Sequence, residues 1–212
     1  FVAFLGWNPK TDQEIFSLND LISVFDLKNV NKAGAVFDDK KLEWFNSQYI
    51  KKLDAKNLSK LLKPFWQEAG IEVEKFSDDY LSAVTKLEQE RLKKLSEIGE
   101  STKYYFQAPE YDGKLLVWKK SDAEKTKLVL LGLSDLFVQL HDEDFTKEKL
   151  ETSIKKFIVD GNYDNGSVLW PLRAALTGQE KSPGPFEVAS TIALGLGKQE
   201  ILSRIQSAIK KL

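Results

Sequence analysis

Ser167-Val-Leu-Trp-Pro-Leu-Arg-Ala-Ala-Leu-Thr-Gly178, followed after three residues by Ser182-Pro-Gly-Pro-Phe186, is the stretch that decides the fold. Ser167 is of the type that caps a helix start, and Pro171 falls close enough to the first turn to be accommodated. Gly178 suits the left-handed position that closes a helix, and Pro183-Gly184-Pro185 enforces a tight turn before the next one. Read without further context, Trp170 and Leu172 are core and Arg173 is a solvated flank.

The same helical punctuation extends in both directions, with no sustained period-two alternation. Upstream, Ser17 caps a helix with Leu18, Leu21, Ile22 and Phe25 on one face, and Asp38 or Asp39 starts another carrying Leu42, Phe45 and Tyr49. Asp54 caps a third, with Leu58, Leu61 and Leu62, which Pro64 is expected to interrupt because proline has no amide donor. Ser77 opens a long helix expected to run to a closing glycine at Gly99. The stretch from Tyr104 to Lys120 loses periodicity at Pro109 and Asp112-Gly113 and marks a junction. Beyond it, Ser121 with Glu124 forms a capping box for a helix carrying Leu128 and Leu131, and Thr146 starts one with Leu150, Ile154, Phe157 and Ile158. The last helix offers Ile201, Leu202, Ile205, Ile209 and Leu212 as its buried stripe. The expected architecture is all-α, in two packed helical subdomains.

Composition narrows the chemistry. The 212 residues are 42% hydrophobic and 30% charged, enough to fill one large or two small cores. Zero cysteines remove disulfides, thiolate zinc sites and cysteine nucleophiles, which fits a cytoplasmic protein. The single histidine, His141, lies in the acidic run His141-Asp142-Glu143-Asp144, either a weak cation site or, as we expect, a solvated loop. No run approaches the roughly 18 apolar residues of a membrane span, and no membrane partner is expected. The missing initial methionine and the apolar first residues read as a helix tail cut from a longer protein.

A net charge of −1 is unlike a protein that holds nucleic acid by bulk electrostatics, so any RNA contact must be a local patch, and DNA is not expected. Of 31 basic residues only Arg91, Arg173 and Arg204 are arginine. Arginine presents a planar fork of donors that matches a base edge, whereas lysine is a mobile point charge. Projected as a helix, Arg91 falls inside the apolar face of Leu81, Val84, Leu87, Leu92, Leu95 and Ile98, so it must pair with Glu88 or open into a polar cavity. Arg204, among Ser203, Gln206 and Ser207, reads as part of a solvated face.

The stretch from Ser167 to Phe186 resembles the signature near the C-terminus of bacterial glutamyl-tRNA synthetases. A second likeness to the same family begins at Phe1-Val-Ala-Phe-Leu-Gly-Trp7 and continues through Glu14-Ile-Phe-Ser-Leu18, Ala35-Val-Phe-Asp38 and Leu42-Glu-Trp-Phe-Asn-Ser-Gln-Tyr-Ile50. The resemblance implies an anticodon-binding helical cage, with residues 1–52 ending a tRNA-stem-contact region, 53–120 a first helical subdomain and 121–212 a second. It implies tRNA(Glu) as the partner of a monomeric chain. It also implies that ATP and Mg²⁺ belong to a catalytic domain absent from this stretch. The family's His-Ile-Gly-His-like and Lys-Met-Ser-Lys-like motifs are missing; Asn57-Leu-Ser-Lys60 is a look-alike inside an expected helix, so no catalytic residue, cofactor or metal ligand is assigned.

Carried over residue by residue, the resemblance makes Arg91 the reader of the third anticodon base. Arg173, Thr177 and Gly178 become further anticodon-binding residues, Thr177 through its hydroxyl and Gly178 by allowing close backbone approach. Pro183, Gly184 and Phe186 would shape the pocket. On the helix after Asp39, Asn46, Gln48 and Lys51 are possible tRNA-stem contacts, while Trp44 and Tyr49 are expected in the core. Two other readings stay open: a helical protein-interaction scaffold that no longer binds RNA, and a free-standing RNA-binding adaptor.

Overall fold

The computed structural model describes residues 1–31, 34 and 36–212; Ala35, one of the positions carrying the resemblance, lies outside the described residues. Among the described residues eleven α-helices form, in chain order: α1 (Leu18–Val24), α2 (Asp39–Lys52), α3 (Ala55–Glu68), α4 (Asp78–Glu88), α5 (Ile98–Ser101), α6 (Lys103–Phe106), α7 (Ala123–Gln139), α8 (Lys147–Asp160), α9 (Asn165–Thr177), α10 (Pro185–Leu196) and α11 (Lys198–Lys210). Among the described residues there is no strand, only an isolated antiparallel bridge between Trp7 and Val30. No helix among them is long and apolar enough to cross a membrane. The all-α expectation holds.

Two apolar clusters organise the chain. In the first, Phe1, Phe4, Trp7, Phe25 and Phe45 pack ring against ring, with Phe4 and Phe45 centroids 5.7 Å apart and Trp7 and Phe25 5.4 Å apart. The second, main core runs continuously from Ile50 to Ala208. On one side α3 packs on α4 and α5; on the other α7, α9 and α11 pack together, and α10 reaches from α8, α9 and α11 across to α4 and α6. Tyr80 on α4 lies at this seam against Gly195 of α10, and its hydroxyl donates to the Tyr105 carbonyl of α6 at 2.5 Å.

Local signals set most helix starts. Ser17, Asp38, Asp54, Ser77 and Thr146 each accept a backbone N–H from the first turn of their helix, relieving donors that have no partner in the preceding chain. The start of α7 differs from expectation: Asp122 caps it by accepting Lys125 N–H at 2.8 Å, and the Ser121–Glu124 box does not form. Helix α9 starts at Asn165, two residues before Ser167, so Pro171 lies in mid-helix rather than at the first turn. Helix α3 likewise runs through Pro64 instead of stopping; Pro64 and Lys60, whose carbonyl loses its helical donor, are both on the exposed face, where water can replace the bond.

Buried faces are rotated from the expected ones in three helices. Leu18 and Ile22 on α1 are exposed; α7 buries Val129, Leu130, Leu133 and Phe137 and leaves Leu128 and Leu131 outside; α2 buries Phe45 and Ile50 while Trp44 and Tyr49 are exposed. The long helix expected from Ser77 to Gly99 ends at Glu88. A 3₁₀ turn follows over Gln89–Arg91, and the Lys93 and Lys94 amides then bond to the Glu97 carboxylate at 2.9 and 3.2 Å instead of to helical carbonyls. Gly99 is therefore not a left-handed helix end. It lies within α5, where an added Cβ would come 2.6 Å from Ala69 Cβ and 2.9 Å from the Phe65 carbonyl oxygen.

That crossing yields a stability test. Gly99→Ala gains about 1 kcal/mol of helix propensity, but forced separation of α5 from α3 costs about 1–3 kcal/mol. The variant is expected to unfold at lower urea than the unaltered chain; an equal or higher midpoint would mean that the two helices separate freely.

Candidate nucleic-acid interface

Arg91 ends the 3₁₀ turn after α4, and its orientation is set by a buried carboxylate one turn back. Glu88 is 3% exposed. Its Oε1 accepts the Tyr104 hydroxyl at 2.7 Å and the Tyr105 hydroxyl at 3.2 Å, leaving Oε2 to face Arg91 Nε at 3.4 Å. Burial raises the Glu88 pKa above the ordinary carboxyl value, against the opposing pull of the tyrosine hydroxyls and of Arg91. The Arg91 side chain itself is 43% exposed, so it lies at the mouth of this arrangement and not in an apolar face.

Arg173 projects from α9. Its guanidinium lies 4.7 Å from the Trp170 ring centre, and Nη1 donates a long 3.5 Å bond to Ser182 Oγ in the turn before α10. The indole is half-buried, anchored by Nε1 donating to the Leu115 carbonyl at 2.8 Å. Partial burial lowers the Arg173 pKa, and the Arg91 charge lowers it further. The structure thus brings the two arginines into electrostatic reach of each other from separate elements. Ser182 was not singled out from the sequence, although its place next to the Pro-Gly-Pro turn was the available signal.

Thr177 is buried, and its hydroxyl is committed within the turn: it donates to the Arg173 carbonyl at 2.8 Å and accepts Gln179 N–H at 3.2 Å. It shapes the helix end rather than offering a free hydroxyl. Gly178 adopts φ +65°, and an added Cβ would lie 2.8 Å from Pro109 Cβ. The close approach that requires glycine is therefore made to Pro109 of this chain. Thr177, Gly178 and Gln179 face Lys103, Gln107 and Pro109 across a cleft of about 530 Å³.

Arg204 corrects the solvated reading outright. It is 2% exposed, with Nε donating to Glu200 at 2.7 Å and Nη1 donating to the carbonyls of Tyr104 at 2.5 Å and Leu176 at 2.7 Å. Its polar neighbours along the helix suggested water, but its partners are carbonyls far away in the sequence.

The three stem candidates lie on α2, which packs against the Gln89–Arg91 turn. The Asn46 side chain donates to the Lys93 carbonyl, Lys51 pairs with Glu90 at 3.0 Å, and Gln48 makes only a 3.4 Å bond to Ser47. Gln89 donates to both the Ile50 and Leu53 carbonyls, at 2.8 and 2.7 Å, closing the end of α2. The exposed aromatics of this helix are the ones expected inside: Trp44, with Lys41 Nζ 4.9 Å from its ring centre, and Tyr49, with Lys52 5.9 Å away. A lysine three residues from each ring was the available signal.

Elsewhere, the acidic run at His141 forms a 3₁₀ turn in which Asp144 accepts His141 N–H, and no group of three metal-ligating side chains occurs among the described residues. The Asn57-Leu-Ser-Lys60 look-alike is ordinary helix within α3.

The all-helical fold, which sets Arg173 over the Trp170 ring, belongs to the class of helical anticodon-binding modules. The model of the family described as "Anticodon binding domain" matches residues 57–209, and the chain belongs to that family. Over its whole length it is similar to glutamate-tRNA ligases. It is 38% identical to that of Clostridium tetani, of which it covers 42%, and 37% identical to that of Phocaeicola vulgatus, of which it covers 40%. The solved glutamate tRNA ligase of Elizabethkingia meningosepticum, in complex with its amino acid, superposes with a TM-score of 0.81 at 32% identity over 99% of this chain and 39% of that one. The chain therefore spans about two fifths of the length of these relatives and corresponds to their C-terminal part.

Two tests follow from the buried charges. Arg204→Ala removes bonds to two buried carbonyls and strands Glu200, and is expected to lower unfolding free energy by about 3 kcal/mol; Arg204→Lys, lacking the fork, should recover little of it in chemical denaturation. For Glu88, a raised folded-state pKa means that the protonated form stabilises, an effect complete below the ordinary carboxyl value and lost as pH rises through the folded one. The stability of the unaltered chain minus that of Glu88→Gln should therefore fall as pH rises from about 4, the ordinary carboxyl value, through the raised folded-state value. A flat or rising difference in urea titrations at several pH values would show that the tyrosines and Arg91 fully compensate burial.

Proposed function

We propose that this chain reads the anticodon of glutamate tRNA, as the C-terminal part of a glutamate-tRNA ligase. The reading is supported by Arg91 and Arg173, two arginines from separate elements within electrostatic reach of each other, with the Arg91 side chain 43% exposed beside Glu88. Glutamate tRNAs carry a pyrimidine-uridine-cytidine anticodon. Cytidine's pairing edge offers acceptors to an arginine fork, whereas guanosine's edge presents donors. Trp170, stacked under Arg173, adds a planar surface of the kind that receives unstacked bases.

In this reading residues 53–120 and 121–212 are the two halves of the cage, contributing Arg91 and Arg173 respectively. Thr177 and Gly178 fix the end of the Arg173 helix. Residues 1–52 end the stem-contact region, where Asn46, Gln48 and Lys51, joined by the exposed Trp44 and Tyr49, approach the tRNA. Lysines there position the backbone without specifying sequence. The whole ligase, a cytoplasmic enzyme, attaches glutamate to tRNA with ATP and Mg²⁺ in a catalytic portion outside this stretch, and this part acts as a monomeric recognition unit. A protein-interaction scaffold is favoured by one observation, the exposure of Leu18, Ile22 and Leu27 near the chain start.

The test is a titration of the chain with glutamate tRNA transcripts that carry cytidine or guanosine at the third anticodon position, at fixed moderate salt. Guanosine is expected to weaken binding by about 5- to 150-fold, the range for one good base contact. Arg91→Ala should erase most of that difference. Equal affinity for the two transcripts would reduce the interaction to backbone contacts, and no binding would favour the scaffold.

A further inference from the structure

We infer that Glu88, together with Tyr104, is a positioning residue for base discrimination: it holds the Arg91 fork in its reading direction without touching RNA. The inference rests on the anticodon reading above and adds to it the group that makes Arg91 selective.

A guanidinium distinguishes bases only if its donor pairs point along one line, and an exposed arginine on a flexible stem does not satisfy that by itself. In this chain the fork has a fixed reference. Both tyrosine hydroxyls converge on Glu88 Oε1, which fixes the carboxylate, and its other oxygen forms an ion pair with Arg91, Oε2 to Nε at 3.4 Å. The ion pair engages Nε, and the 43% exposed side chain leaves its terminal donors open to a base edge. Tyr104 is held in its turn, because its carbonyl accepts Arg204 Nη1 at 2.5 Å. The same Arg204 nitrogen reaches the Leu176 carbonyl, one turn beyond Arg173 on α9, so the reference for one arginine and the backbone carrying the other are fixed from one point.

Charge gives the inference an unusual sign. Glu88 is the acidic group paired with the guanidinium cluster, and removing a carboxylate beside an anionic ligand strengthens non-specific attraction. If Glu88 acted only through charge, its removal would tighten binding of every RNA alike. If it orients Arg91, its removal lets the fork swing, and discrimination falls while overall affinity is unchanged or increased.

The experiment measures binding of the 212-residue chain to two anticodon stem-loops of glutamate tRNA, with cytidine or guanosine at the third position, and uses the ratio of the two affinities as its readout. Glu88→Gln is expected to lower the ratio by about fivefold or more, the order of one coupled pair, with no loss of affinity for the guanosine stem-loop. In an Arg91→Ala background the same substitution should leave the ratio unchanged, because there is no fork left to orient. Should Glu88→Gln fail to fold, Tyr104→Phe, which removes a single hydroxyl from Oε1, is expected to lower the ratio in the same direction by a smaller factor. An unaltered ratio in Glu88→Gln or its folded substitute, with Arg91→Ala still abolishing discrimination, would overturn the positioning role and leave the anticodon reading intact. No effect of Arg91→Ala on the ratio, or no binding to either stem-loop, would overturn that reading and the inference with it.

Discussion

A guanidinium with no access to water sets the geometry of this molecule. Arg204 carries a full charge into the main core, an arrangement tolerable only because Glu200 opposes the charge and two carbonyls receive its protons. Those carbonyls belong to α6 and α9, one on each side of the seam that α10 crosses, so the two helical halves share a fixed polar point as well as an apolar interface. Apolar surfaces specify that helices meet, whereas directional bonds specify where along their lengths they do so. The Tyr80 bond to the Tyr105 carbonyl fixes the same short helix from α4.

The sequence was most legible where structure is decided within a turn of chain. Helix type, the caps at Ser17, Asp38, Asp54, Ser77 and Thr146, and the left-handed close at Gly178 all depend on neighbours four residues away or fewer. It was least legible where a distant partner decides. Helix α4 stops at Glu88 although the apolar spacing continues, because Glu88 is claimed by two tyrosines beyond α5 and Gln89 by carbonyls of α2. Helical projection carried Arg91 inside a face that exists only if the helix continues. Arg204 failed for the complementary reason: polar flanking residues say which side of a helix meets water, and the arginine is on the other side.

The chain is nearly neutral, yet its cationic groups are not equivalent. Lys51, Lys63, Lys93, Lys94, Lys125, Lys147 and Lys149 all lie beside carboxylates, so much of the lysine charge is compensated at short range. Arg91 is paired with the buried Glu88, and its charge is also felt by Arg173 on a separate element. A weak overall field with one concentrated cationic point suits a surface that selects among similar polyanions more than one that simply attracts them.

The two apolar clusters meet along α2, which has Phe45 in the aromatic cluster and Ile50 in the main core. Around Ile50 the attachment is polar: Gln89 on the last carbonyls, Lys51 on Glu90, and the Asn46 side chain on Lys93. Farther up the helix, Glu43 pairs with Lys94 at 2.8 Å beside a cavity of about 560 Å³ that Asp39, Leu42 and Asn46 also line. With a rise of about 1.5 Å per residue, the Asp39 end lies roughly 16 Å from Ile50. The aromatic cluster is therefore placed by directional polar bonds along one helix more than by shared apolar surface.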